Sequence, residues 1–447
     1  MRKNDIVEIV ITGMTDDGDG VGRVDNLAVF VPYTIVGETV RAVIVKVLKR
    51  YAYGKLLEVV RPSEHRIKAE CEYFYQCGGC SLWHMSYESE CEYKRNKVED
   101  CLRRIGGIDV EVSETVKADS VYGYRNKNQF PVTPDGIGMY ARRSHRLIKT
   151  EGCLIAAPFC KTVTETVGKW MKDFGVTAYD EKTGAGTVRN VYTRSGDKGI
   201  LVCIVTSGKK LPHSAELTDA LLDTVLDIAG IVQNINPKKT NTILGNKTKT
   251  IYGDGVLEDG IGDVRFKISP LSFYQVNKEQ TLKLYGLVKE FLGLSGGETV
   301  WDIYCGIGTI GQFIAKDAKR IVGVEIVPDA VDNAKENAGL NGIANADYYC
   351  GKAEELASGL LQKYGRPDAI ILDPPRKGCD EQLLKTVCDS GAERVVYVSC
   401  KPSTLARDLR YLEDNGYKTV KAVPVDMFPR TAHVETVVLM SKTENKD

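Results

Sequence analysis

Cys400 closes the apolar run RVVYVSC and is followed by Lys401 and Pro402, which gives this chain a thiol where covalent chemistry can happen. Open α/β sheets bind ligands beyond the carboxyl ends of their strands, and a thiolate delivered there can add to an electron-poor carbon. Glu435, in His433-Val434-Glu435 on a later strand-like run, is the natural base to take a proton back off such an adduct. Residues 302 to 311 read Asp-Ile-Tyr-Cys-Gly-Ile-Gly-Thr-Ile-Gly, which contains G-x-G-x-x-G opening a helix. That turn lets the backbone approach a nucleotide cofactor. Glu325 ends the next strand about 20 residues on, where a carboxylate accepts both hydroxyls of a ribose. NAD and S-adenosylmethionine both present such a ribose, so these two features leave the cofactor open.

A second set of reactive groups lies earlier. Cys71-x5-Cys77-Gly78-Gly79-Cys80 puts three thiols within ten residues, with glycines that let the backbone curl toward sulfur. Thirteen cysteines, an odd number, in a chain without a secretion signal do not make a disulfide framework. Close-spaced thiolates suit zinc in a four-sulfur site or an iron–sulfur cluster, and the spacing does not choose between them.

The elements that position these groups follow from patterning. A chain of 447 residues suggests roughly three domains of about 150 residues each. At 43% hydrophobic and 27% charged residues it is neither disordered nor fibrous. No apolar stretch reaches the ~18 residues of a spanning helix, so a cytoplasmic protein without a membrane partner is expected. The runs VEIVITGM, LAVFVPY, VRAVIVKVL and GKLLEVV, with the turn DDGDGVGR, predict a small antiparallel barrel of oligonucleotide-binding type over residues 1–62. Residues 63–270 predict a mixed α+β domain holding the cysteines, with a charged helix over 84–105 that can pack on the next domain. Residues 271–447 alternate strands with helices and predict a mostly parallel, doubly wound, Rossmann-like sheet. The 60 basic and 60 acidic residues cancel, yet residues 41–68 carry a net +6 and residues 121–150 a net +5. Segregated charge of this kind is what phosphate binding requires.

Asp373-Pro374-Pro375-Arg376 resembles the D/N-P-P motif of nucleic-acid methyltransferases and turns the choice of cofactor toward S-adenosylmethionine. A methyltransferase would explain the cysteine. Carbon 5 of uracil is a poor nucleophile until a thiolate adds at carbon 6 and makes the ring an enolate. Together FYQVN (273–277), DIYCGIG (302–308), Glu325, DPPR (373–376), SCKP (399–402) and HVE (433–435) resemble the RNA uracil-5-methyltransferase family, in that family's order. The resemblance implies that Gln275, Tyr304, Glu325 and Asp373 contact S-adenosylmethionine, with Cys400 as nucleophile and Glu435 as base. It likens the barrel to a TRAM domain and Tyr124-Arg125-Asn126-Lys127 to an RNA-binding segment. It also implies a 4Fe-4S cluster on Cys71, Cys77, Cys80 and a distant fourth cysteine, Cys153, with Cys160 as its rival, stapling the central domain. Lys401 departs from the family, which more often has Asn there; a lysine beside the nucleophile is expected to lower its pKa. The resemblance favours 23S rRNA over tRNA as substrate, because tRNA-directed relatives often lack barrel and cluster. No DNA partner is expected, and a monomer is.

Overall fold

Apolar residues alternating along the first sixty positions close a five-stranded barrel in the computed structural model, which describes residues 1–443. Strands β1 (Ile6–Met14), β2 (Gly20–Val24), β3 (Leu27–Val31), β4 (Thr39–Val47) and β5 (Tyr51–Arg61) pair in the order β1-β2-β3-β5-β4. Ile9, Ile11, Val29, Val31, Val40, Ala42 and Ile44 fill the interior at the two-residue period of a half-buried strand. The segment DDGDGVGR is more than a turn, since its second half forms most of β2. Gly20 is needed there because a Cβ would lie 2.0 Å from the Thr34 hydroxyl.

Helix α1 (Tyr87–Cys101) starts at Ser86, whose hydroxyl accepts from the Ser89 amide, and runs into a π-type turn at Leu102–Gly106. Its sequence is polar, yet Val98, Cys101 and Leu102 pack into the core of the C-terminal sheet. Lys94 is wholly buried. Its ammonium donates to Glu90 at 2.7 Å and to Asp426 at 2.6 Å, while the Arg430 amide also donates to Glu90. A buried ion pair adds little net stability, but removing one member strands the others. Lys94→Met should therefore cost about 3–5 kcal/mol in chemical denaturation.

The middle of the chain forms a seven-stranded sheet, β12-β11-β10-β9-β6-β7-β8. Its strands are β6 (Lys127–Thr133), β7 (Gly136–Tyr140), β8 (Leu147–Lys149), β9 (Val188–Gly196), β10 (Gly199–Thr206), β11 (Ile228–Ile235) and β12 (Lys247–Gly253). Helix α2 (Phe159–Asp173) covers it, and α3 (Ser214–Thr224) makes the crossover between parallel β10 and β11. A hairpin of β13 (Leu257–Ile261) and β14 (Val264–Ile268) follows. Its Ile261, Phe266 and Ile268 pack with residues of the C-terminal sheet, so a division at 270 falls after side chains that already belong to that core.

The remaining strands are β15 (Thr299–Ile303), β16 (Arg320–Glu325), β17 (Ala346–Cys350), β18 (Ala369–Leu372), β19 (Arg394–Ser399), β20 (Tyr417–Val425) and β21 (Glu435–Lys442). They pair as β17-β16-β15-β18-β19-β21-β20, with β21 antiparallel to both its neighbours. Every residue of β15 and β18 is buried, as two-sided helix cover demands. The strand order reverses at β15, and the carboxyl ends of β15, β16, β18 and β19 meet there. Because β21 runs the other way, its first residue, Glu435, arrives at that same edge. No helix among the described residues is long and apolar enough to cross a membrane.

Candidate active site

The glycine turn after β15 is held open by its own hydrogen bonds. Tyr304 takes a left-handed backbone conformation (φ 65°), and its amide donates to Val324 at 3.0 Å. The Gly306 amide donates to one Glu325 oxygen at 3.2 Å and the Val327 amide to the other at 2.9 Å, so Glu325 is clamped beside the turn. A Cβ on Gly306 would meet nothing within 4 Å, which marks the open side of the cradle. Gln275 is buried in the loop between β14 and helix α4 (Lys278–Leu292). The Asn126 side chain donates to its carbonyl at 3.1 Å, joining the segment YRNK to the loop FYQVN.

Asp302 is buried, with one oxygen accepting from the Gly311 amide at 2.9 Å and the other lacking any partner. Burial drives its carboxyl up to about 7, with the charges of Asp373 and Glu325 adding to the rise against the Gly311 hydrogen bond. Burial alone lifts Asp373 to about 7. An orphaned acceptor among carboxylates suits a cationic ligand with N–H donors, and S-adenosylmethionine carries both a sulfonium and an ammonium.

Cys400 and Glu435 meet at the β19–β21 seam. Ser399 pairs with Thr436, so Cys400 and Glu435 are the next residues along, near enough for the Glu435 charge to act on the thiol. Burial raises Glu435 to about 8, with Asp373 adding and Arg376 opposing. The Cys400 thiol is pushed up to about 11 by burial and then by the charges of Glu435 and Asp373, again against Arg376. The cation that favours the thiolate is thus Arg376 of the DPPR turn. Lys401 points elsewhere: its ammonium pairs at 3.0 Å with Asp16, in the barrel turn between β1 and β2. The pattern DPPR offered no role for its arginine, because the role depends on where β19 and β21 end.

The raised carboxyls carry a stability signature. Asp302, Asp373 and Glu435 hold protons in the folded chain at pH values where the unfolded chain has released them. Stability contributed by the neutral forms is complete below about pH 4 and lost as pH rises toward about 7 to 8. The share of thermal stability owed to these three groups should fall across that window, so the difference in melting temperature between the ligand-free native protein and Asp302→Asn should change with pH over the same interval.

Cys71, Cys77 and Cys80 gather around Cys153. Burial raises all three thiols, and in each the Cys153 sulfur contributes to the rise. Cys160 is buried on α2 with its sulfur 3.3 Å from both the Asn128 side-chain amide and the Thr193 hydroxyl, and Cys153 contributes to the rise of its thiol as well. Among the described residues no three His, Cys, Asp or Glu side chains stand at the spacing of one metal ion.

Residues 249–443 match the family model for tRNA (uracil-5-)-methyltransferases, and residues 2–57 match that for the TRAM domain. An uncharacterized RNA methyltransferase of Halalkalibacterium halodurans is 46% identical, the alignment covering 98% of each chain. This chain belongs to the RNA uracil-5-methyltransferase family. Another uncharacterized RNA methyltransferase, from Clostridium tetani, is 43% identical over 99% of this chain and 97% of its own. Among solved structures, the Pyrococcus abyssi tRNA (uracil-54, C5)-methyltransferase in complex with S-adenosyl-L-homocysteine is similar at a TM-score of 0.80 and 28% identity. That match covers 97% of this chain and 99% of the archaeal one. A tRNA-directed relative can therefore share the whole architecture, barrel included, which removes the barrel as a reason to prefer rRNA. As an RNA methyltransferase of this family, the chain has S-adenosylmethionine as its methyl donor.

Proposed function

We propose that this enzyme forms 5-methyluridine in RNA through a transient bond between Cys400 and carbon 6 of the target uracil, with 23S rRNA as the substrate that the cysteine motif favours. The observation that carries the reading is the meeting of Cys400 and Glu435 across one strand seam, within reach of the Asp373 charge at the end of β18. Gln275, Tyr304, Glu325 and Asp373 would hold the donor, which supplies an electrophilic methyl group. The Cys400 sulfur adds to carbon 6, the thiol proton leaves to solvent, and carbon 5 gains electron density enough to take the methyl. Glu435, as carboxylate, then removes the proton from carbon 5. The electron pair reforms the ring double bond and expels the Cys400 thiolate. Uridine and donor thus become 5-methyluridine, S-adenosylhomocysteine and one proton. Carbon 6 is inaccessible inside a duplex, so the target is an unpaired or flipped-out nucleotide.

The likeness to a tRNA uracil-54 enzyme favours tRNA as a second reading. Nucleoside mapping of rRNA and tRNA from cells lacking this protein separates the two. Loss of 5-methyluridine from 23S rRNA alone supports the first, loss from tRNA alone the second, and no loss from either refutes both.

We also propose that Cys71, Cys77, Cys80 and Cys153 hold a 4Fe-4S cluster. An all-sulfur donor set grouped around Cys153, in an apolar shell with Phe74, Trp83 and Ile155, supports it. Anaerobically purified protein should carry about four iron and four sulfide per chain. Stoichiometric zinc without sulfide would refute it.

A further inference from the structure

A cavity of about 540 Å³ lies between the barrel and the segment that carries the cysteines. Its lining is mostly apolar, with aromatic walls from Tyr33, Tyr53 and Tyr75 and the exposed side chains of Lys46, Lys55 and Arg143 at the rim. Among the described residues no carboxylate lines it. Tyr75 is 53% exposed, and the Tyr33 ring meets its ring edge-on at 5.3 Å between centroids. On the barrel side Tyr53 stands at 90° to Tyr51, 5.6 Å away, and Phe30 closes the same strip. Lys46 and Lys55 form no ion pair among the described residues. Two of the wall residues, Tyr33 (φ 65°) and Arg143 (φ 53°), sit in the left-handed backbone region that side chains normally avoid. Such strain persists where the surroundings hold a group in place, and it gathers at ligand sites.

The cavity also has a connection to the reacting groups. Arg143 reaches Asp19 at 3.5 Å and Asp17 at 3.7 Å, and its guanidinium lies 5.9 Å from the Tyr53 ring centroid. The same turn holds Asp16, which pairs with Lys401, the residue after Cys400. One short turn therefore joins this cavity to the nucleophile's strand end.

We propose that the cavity binds one unpaired nucleotide of the RNA substrate, distinct from the uridine that reacts. The base stacks on Tyr53 and Tyr75, and its flanking phosphates meet Lys46 and Lys55. Rings with open faces and a cationic rim are what single-stranded nucleic acid recognises, whereas a protein segment would find no carboxylates for its own cations. The inference rests on RNA being the substrate.

A fluorescein-labelled single-stranded oligouridylate dodecamer, titrated against the full chain at fixed salt, tests it. Tyr53→Ala and Tyr75→Ala should each weaken binding about tenfold, and the Phe variants, which keep the ring, should bind as the unaltered chain does. Lys46→Ala with Lys55→Ala should lower the slope of log affinity against log salt by roughly 1 to 2. S-adenosylhomocysteine affinity should stay constant throughout, reporting an intact fold. Alanine variants that keep full oligouridylate affinity, or Phe variants as weak as the alanine ones, overturn the pocket while leaving methylation standing. An unaltered chain that binds S-adenosylhomocysteine but neither binds nor methylates RNA overturns the substrate reading itself.

Discussion

Cys400→Ser should lower methyl transfer by at least about 10⁴-fold while leaving cofactor affinity unchanged. The argument is about polarisability and acidity together. A thiol held near 11 by burial and two carboxyls is only sparsely ionised at neutral pH, but a serine hydroxyl ionises far less and adds far more weakly to a conjugated ring. The other thiols following β15 and β18, Cys305 and Cys379, are both buried, and the Cys379 sulfur lies 3.5 Å from the Tyr397 hydroxyl. Single-turnover methylation with tritiated donor measures the loss, and denaturing gels should show no protein–RNA adduct. Serine activity within a factor of ten of the native rate would mean that sulfur is not the attacking atom.

The parts legible in the sequence were those whose signal is local. Alternation in VRAVIVKVL and the helix-length spacing between TVWDIYC and RVVYVSC sufficed for the barrel and the mostly parallel sheet. What stayed hidden depends on partners far away in the chain. Lys94 reads as one more charge on a polar helix, because its partner Asp426 lies 332 positions on. The strand β2 looked like turn because Gly20 and Gly22 are chosen for close approach between strands, a demand with no local signature. Strand β17, Ala346–Cys350, lacks a long apolar run since it is an edge strand with mixed exposure. Arg376 and Lys401 illustrate the same limit at the site. Proximity in sequence favoured Lys401 as the cation acting on Cys400, but Asp16 draws it to the barrel and leaves that task to Arg376.

Glu435→Gln should convert the enzyme into a trap for its substrate. Addition of Cys400 and methyl transfer need no carboxylate at position 435, so both can proceed; elimination needs a base at carbon 5, and glutamine cannot accept that proton. Turnover should fall about 10²- to 10⁴-fold while a denaturant-resistant adduct containing RNA and a transferred methyl accumulates toward one per chain. The native enzyme supplies the matching pH signature. With Glu435 raised to about 8 by burial and Asp373, its carboxylate fraction grows as pH climbs from 7 to 9, so elimination-limited turnover should rise over that interval. In Glu435→Gln the dependence belonging to this group disappears, and the Cys400 thiol, lacking one neighbouring negative charge, should ionise at lower pH than in the native chain. Adduct formation in the variant would then be favoured at a pH where native elimination is slow. Rapid release of methylated RNA from Glu435→Gln would assign the proton to another base, with Asp373 the other carboxylate whose charge acts on Cys400.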